Sequence, residues 1–249
     1  MDKAISKFNG MSKHYSKYRP SYPDNSIIYI FENAKISVRT IADIWAWTWK
    51  LTKLFLDKWW EVYAIEPNKE MLNQCCSELE NYKNFHPILA TAEETTLPNN
   101  SIDLIVVWQA FHRFDLDQFK KESKRILKEN GSVALLYNNW DKTSEIIKEI
   151  DQLSKKYCPC YKGSSWWLAN QESNFQRYFS SYEKVVFSND YILTLDTFLG
   201  LNFSASYAPK SWEKNYEVYY KELIKLYKKY ANWALLIMPN NTILRIGKI

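Results

Sequence analysis

Glycine is scarce in this chain: five residues in 249, where an average share of about 7% gives roughly 17. That shortage excludes collagen-like and glycine-rich linker sequences. Histidine occurs three times, as His14, His86 and His112, far apart in the chain. The four cysteines fall as Cys75-Cys76 and Cys158-Pro159-Cys160, neither of which is the C-x-x-C spacing of a zinc or redox site. No metal site is legible, and reduced thiols are expected. No run approaches the roughly 18 apolar residues of a membrane span, and the first ten residues lack the apolar stretch of a secretory leader. A cytoplasmic protein without membrane contact is the expectation. Neither sign of charge dominates, with 33 basic and 28 acidic residues and a net charge of +5. Lysine pairs such as Lys120-Lys121 and Lys228-Lys229 suit solvated helix faces, so no nucleic-acid partner is expected. Tryptophan, in contrast, is abundant, with 11 residues.

What is present alternates. Residues 1–24 carry two X-Pro steps that forbid a continuous helix, which predicts an arm or lid leading into a helix from Asn25 to Asn33. Short apolar runs at Thr40–Ile44, Glu61–Ile65, Phe85–Ala90, Ile102–Val107 and Ser132–Tyr137 read as strands. Helical spacing occupies Lys50–Lys58, Asn68–Tyr82 and Leu116–Glu129, with Asn68 as an N-cap and Asn130-Gly131 as a stop. Strands that are nearly all apolar, separated by helices, indicate a parallel sheet covered on both faces. The expected fold is α/β: a Rossmann-like, doubly wound sheet of seven mostly parallel strands. After Asn139 the rhythm changes. Residues 141–182 read as a mostly helical cap inserted in one domain spanning 1–249. Val185–Leu195 has strand character, and Trp212–Ala231 reads as an amphipathic helix. Two short runs around Pro239-Asn240-Asn241 suggest a closing hairpin or a bent final strand.

In such a sheet ligands bind beyond the C-terminal ends of the strands, near the switch point of the strand order. The residues there are Asp43 to Lys50, Glu66-Pro67-Asn68, Thr91-Ala92-Glu93 and Trp108 to His112. Glu66 ends the second strand about twenty residues beyond the first loop, where a carboxylate can accept the ribose hydroxyls of a nucleoside cofactor. It is equally placed to be an acid at a helix N-terminus.

The stretches Ile41-Ala42-Asp43-Ile44, Val62-Tyr63-Ala64-Ile65-Glu66-Pro67-Asn68, Glu70-Met71-Leu72, Thr91-Ala92-Glu93, Leu97-Pro98, Ser101-Ile102-Asp103-Leu104, Gln109-Ala110-Phe111-His112 and Arg125-Ile126-Leu127 together resemble the class I S-adenosylmethionine-dependent methyltransferases, in particular the type 11 methyltransferase domain. Tyr15 to Pro23 and Ser204-Ala205-Ser206-Tyr207 resemble one subgroup. The resemblance implies S-adenosyl-L-methionine as cofactor and a small-molecule methyl acceptor. It also implies cofactor contacts from Tyr15, Arg19, Asp43, Ala46, Glu66, Pro67, Met71, Thr91, Ala92, Glu93 and Gln109, with Asp43 near the amino end. A monomer or homodimer is expected. Structural alternatives stand beside these roles: Asp43 as a loop cap, Met71 as core, Glu93 as a solvated helix start, Arg19 in a surface turn.

One departure is pronounced. The resemblance places G-x-G-x-G in the first loop, and this chain has Trp45, Trp47 and Trp49 there; Trp59 and Trp108 also replace glycine or a small residue. Arg113 follows His112 where the subgroup has tryptophan. Glycine in that loop permits positive φ and close approach of the backbone, so indoles there should keep the fold, destabilise it, and impair or abolish cofactor binding. A deliberate alteration of the chain is the origin this pattern suggests. A non-catalytic scaffold of the same fold is the alternative function. A nicotinamide-dependent oxidoreductase is disfavoured, because the loop lacks its fingerprint even with glycine restored.

Methyl transfer from a sulfonium depends mainly on alignment and exclusion of water. His112 is the one candidate base for an acceptor that must lose a proton, or else it orders its loop. The aromatic residues Trp166, Trp167, Phe175, Tyr178, Phe179 and Tyr207 suit either an apolar acceptor or plain core packing.

Overall fold

The computed structural model describes residues 22–33, 40–46, 49–163 and 171–249. Its elements are α1 (Asp24–Asn33), β1 (Thr40–Ile44), α2 (Lys50–Leu56), β2 (Glu61–Ile65), α3 (Lys69–Leu79), β3 (Phe85–Ile88), β4 (Ile102–Trp108), α4 (Leu116–Ile126), β5 (Leu127–Trp140), α5 (Glu145–Tyr157), α6 (Glu172–Tyr178), β6 (Ser181–Ser188), β7 (Tyr191–Leu193), α7 (Leu195–Phe203), α8 (Tyr216–Tyr230), β8 (Leu236–Met238) and β9 (Asn240–Lys248). Seven strands form one sheet in the order β3-β2-β1-β4-β5-β9-β6. The pairs from β3 to β5 are parallel, and β9 runs antiparallel to both β5 and β6. The seven-stranded, mostly parallel sheet expected from the sequence is therefore present.

The apolar runs explain the layers. Alternate residues of β1, β4 and β5 face opposite sides. Ile44, Ile105, Val107 and Leu135 pack with Phe119 and Ile126 of α4 on one face. Ile41, Leu104, Val106 and Leu136 pack with Ile27 and Ile30 of α1 and Leu51 and Phe55 of α2 on the other. A third buried cluster joins α5, α7 and α8 to the small β7–β8 sheet through Ile146, Tyr191, Phe198, Tyr219 and Leu223.

Several sequence expectations are corrected here. Helix α4 ends at Ile126 and not at Asn130-Gly131, because β5 begins at Leu127. Gly131 serves close packing instead: a Cβ there would meet Leu127 Cδ2 at 2.7 Å and the Lys128 carbonyl oxygen at 2.9 Å. The Val185–Leu195 region splits, with β6 in the main sheet and β7 in the small one. The runs flanking Pro239 form no hairpin with each other: β8 pairs with β7, and β9 crosses to the main sheet. Helix α8 starts at Tyr216, which leaves Trp212 outside it and 82% exposed. Helix α7 was unforeseen, since its apolar residues lack a one-sided stripe.

Gly247 sits in β9 between Val133 of β5 and Tyr182 of β6. A Cβ there would lie 2.0 Å from the Ser181 carbonyl oxygen and 2.6 Å from Tyr182 Cα, both backbone atoms that cannot rotate away. Gly247→Ala should cost about 1–3 kcal/mol or more, lowering the melting temperature by about 2–4 °C for each of these. Calorimetric melting of the variant checks this; an unchanged midpoint would mean that β6 shifts freely.

Candidate functional site

The strand order reverses between β1 and β4, which places the switch point beside the end of β1. Register brings the ends together: Ile44 stands opposite Ile65 of β2 and Val107 of β4. The loop after β1 stays on β2, because the Trp45 and Ala46 amides both donate to the Ile65 carbonyl, at 2.8 and 3.1 Å. The Glu66 amide donates to Ile88 at 3.0 Å, and the Gln109 amide to Leu136 at 3.1 Å. Asp43, Ala46, Glu66 and Gln109 thus lie on neighbouring strand ends.

Asp43 is buried, and its Oδ2 accepts a hydrogen bond from the Thr52 hydroxyl of α2 at 2.6 Å. Its Oδ1 has no partner among the described residues. Burial raises the pKa from 3.8 to about 7, against the opposing pull of the Thr52 bond. Thr52 has no sequence signal that marks it as this partner. Glu66 is fully buried, and its Oε1 accepts from the Asn68 amide at 2.8 Å. Asn68 caps α3, its Oδ1 accepting from the amides of Glu70 at 2.9 Å and Met71 at 3.1 Å. Both carboxylates act on buried Cys75, whose thiol is pushed up chiefly by burial and further by Asp43 and Glu66. Met71 is buried and Pro67 half-buried.

The third loop carries half-buried Thr91 and fully buried Ala92. Glu93 Oε1 accepts from the Asp115 amide at 3.0 Å, while its buried Oε2 has no partner among the described residues. Thr95 donates its amide and its hydroxyl to Glu122 Oε1, at 2.8 and 2.6 Å, which pins this loop to α4. Beyond β4, Gln109 has φ 50°. Its Nε2 donates to the Asn138 carbonyl at 3.0 Å, and its buried Oε1 has no partner among the described residues.

His112 lies in a short 3-10 turn, its ring centre 6.5 Å from that of Tyr137. Burial, with the charge of Arg113, lowers its pKa to about 3. The suitable pKa expected of a base is therefore not found, because a group this acidic when protonated accepts a proton poorly at neutral pH. Its neutral imidazole suits a hydrogen-bonding role. Tyr15, Arg19, Trp47, Trp166 and Trp167 lie outside the described residues.

For Phe175, Tyr178 and Phe179 the core-packing alternative holds. Phe175, Tyr178 and Phe179 belong to the buried core under the sheet: Phe175 stacks on Phe111 at 5.4 Å and Tyr178 on Phe119 at 5.3 Å. Tyr207 packs against Tyr161 instead. Sequence reasoning missed Arg245, a buried cation on β9 whose guanidinium lies 4.0 Å from the centre of the Phe175 ring. A charge set within the run Ile243-Leu244-Arg245-Ile246 was its only signal.

A groove of about 350 Å³ lies elsewhere, between α5 and α8. Its charges pair with one another, as in Lys229–Glu149 at 2.6 Å and Lys225–Glu222 at 2.7 Å, so it lacks the convergent polar groups of a ligand site. Among the described residues no cluster of His, Cys, Asp and Glu could hold a metal ion, and no helix is long and apolar enough to cross a membrane. All four cysteines are unbridged.

The strand-end crevice offers the polar groups a nucleoside cofactor needs, but not the space. Trp45 has φ 69° and is 4% exposed. It shares one buried cluster with Ile65, Ala92, Ala110 and Phe111, and its ring centre is 5.6 Å from that of Phe114. Its indole nitrogen is buried without a partner among the described residues. An indole therefore fills the volume between the ends of β1, β2 and β4, and the residues present do not fit S-adenosylmethionine.

A family model described as a methyltransferase domain matches residues 48–135. An uncharacterised methyltransferase of Mycobacterium tuberculosis is 32% identical over 139 residues, 56% of this chain and 55% of that protein. The chain thus spans about half the length of the curated relatives it matches. Among solved structures, a proposed type II methyltransferase of Anaeromyxobacter dehalogenans superposes with a TM-score of 0.70 at 19% identity, covering 93% of this chain and 98% of that one. A phosphoethanolamine N-methyltransferase of Haemonchus contortus, solved with phosphomonomethylethanolamine and S-adenosylhomocysteine, superposes at 0.52 and 15% identity, covering 100% of this chain and 58% of its own. Residues 48–135 are thus similar to a methyltransferase domain, and the seven-stranded sheet that holds them shares its fold with solved methyltransferase structures.

Proposed function

We propose that this chain is a methyltransferase that takes its methyl group from S-adenosyl-L-methionine, acts on a small-molecule acceptor, and is impaired by Trp45, Trp47 and Trp49. The observation that carries the reading is the place of Glu66: a fully buried carboxylate at the end of β2, beside the switch point, stands where a carboxylate accepts the ribose hydroxyls of a nucleoside cofactor. Asp43, Glu93 and Gln109 each bring a buried oxygen without a partner among the described residues to the neighbouring strand ends and loops. Tyr15 and Arg19 are proposed lid contacts, with residues 1–24 as arm and 141–182 as cap of one domain.

What this chain's own residues supply is a water-poor crevice and a neutral His112 that can orient an acceptor. The proposed setting is the cytoplasm, with no nucleic-acid or membrane partner, as monomer or homodimer. The second reading, a non-catalytic scaffold, is favoured by the buried indole of Trp45 itself.

Transfer of a labelled methyl group from S-adenosylmethionine to a panel of amines, phenols and carboxylic acids separates the two. With glycine at 45, 47 and 49, label should appear in at least one acceptor, and the unaltered chain should give far less. Transfer by neither chain, with S-adenosylhomocysteine left unbound by both, would favour the scaffold.

A further inference from the structure

The mismatch between crevice and cofactor extends beyond the crevice. Four of the eight described tryptophans have left-handed backbone: Trp45 at φ 69°, Trp49 at 47°, Trp59 at 64° and Trp233 at 48°. An indole at such a φ is a strained outlier, whereas glycine adopts it without penalty. Each position is also one where the local geometry asks for glycine. Trp45 begins the first loop, and Trp49 precedes α2 without any side-chain cap bond.

Trp59 follows α2 with its amide donating to the Leu56 carbonyl at 2.9 Å, the left-handed exit that ends many helices. Trp233 and Ala234 are the central pair of a two-residue turn closed by reciprocal bonds between Asn232 and Leu235, at 2.8 and 2.9 Å. Both have positive φ, the primed hairpin turn that selects asparagine and glycine.

Nor does packing explain them all. Trp59 is 90% and Trp233 92% exposed. The other tryptophans include packed ones: Trp60 lies 4.1 Å from the Phe31 ring centre and Trp140 5.3 Å from that of Tyr191. A deliberate alteration aimed at the cofactor loop does not reach Trp59, at the opposite end of the strands, or Trp233, in the turn between α8 and β8. A cause that acts on residue type regardless of place does.

We infer that positions 45, 49, 59 and 233 are glycine positions of this protein, encoded by UGA codons that its own cell reads as glycine. UGA differs from the glycine codon GGA only in its first base, and some genetic codes read it as tryptophan while others read it as stop or as glycine. One reassignment accounts for the glycine deficit, the tryptophan excess and the left-handed indoles together. The inference does not rest on the proposed activity, since Trp59 and Trp233 lie away from the strand ends.

The test is peptide mass spectrometry of the protein purified from its own cells, with the gene sequence beside it. Glycine masses at the four positions and UGA in the gene are expected; tryptophan at any of them, or UGG codons, overturns the inference. A second measurement uses the chain made with tryptophan. Trp59→Gly and Trp233→Gly should each raise the melting temperature by about 2–4 °C, while Trp140→Gly, which removes a packed ring, should lower it. A fall or no change at both 59 and 233 shows that these are not glycine positions.

Discussion

Replacing Asp43 by asparagine should raise the melting temperature by about 10 °C at pH 8 and by little at pH 4. The folded chain holds this carboxyl at a pKa of about 7, against 3.8 ordinarily, mainly because it is buried. Between those values the native state binds more protons than the unfolded one, so stability falls as pH rises from about 4 to about 7. Above that window the full penalty, about 4 kcal/mol, stands. Asparagine never ionises, and its side-chain oxygen can still accept from Thr52, the bond Asp43 makes at 2.6 Å. The difference between variant and parent should therefore open with pH across that window. Thermal melts of both chains from pH 4 to pH 8 measure it. A constant difference, or a loss at pH 8, would mean that Asp43 is ionised in the fold and supported by donors.

Glu66→Gln, made in the chain carrying glycine at 45, 47 and 49, should weaken S-adenosylhomocysteine binding by about ten- to a hundredfold. A hydrogen bond to a charged group is worth about 1.5–3 kcal/mol, and glutamine keeps only one acceptor oxygen. That oxygen can still take the Asn68 amide bond that Glu66 accepts at 2.8 Å, so the α3 cap should survive and folding should change little. Titration calorimetry and circular dichroism together distinguish the roles. A lowered melting point with unchanged affinity would make Glu66 a structural acid only.

The parallel half of the sheet was legible because buried strands are written as unbroken apolar runs. Thr40–Ile44 and Glu61–Ile65 agree with the structure residue for residue. Asn68 was legible as a cap because its side chain competes for backbone donors, and the structure gives it two. Local signals failed where distant partners decide. Asn130-Gly131 looks like a helix stop, yet Gly131 is small because Ile102 and Lys128 crowd it. The three-residue strands β7 and β8 pair across more than forty residues, and nothing in either run names the other.

In the site, the strand ends could be listed from the sequence because topology places them. The depressed pKa of His112 could not, since it depends on burial beneath elements far along the chain. Trp45 was suspect from its loop; that its ring turns inward to meet Phe114 is a fact of packing alone.

The central claim is that the crevice at the ends of β1, β2 and β4 is a nucleoside-cofactor site closed by an indole. Calorimetric titration of S-adenosylhomocysteine into this chain, and into the variant with Trp45, Trp47 and Trp49 all changed to Gly, tests it most directly. The glycine variant should bind and the parent should not. Comparable binding by both would show that the indole of Trp45 leaves the crevice at no cost, and no binding by a folded glycine variant would show that the crevice is not a cofactor site.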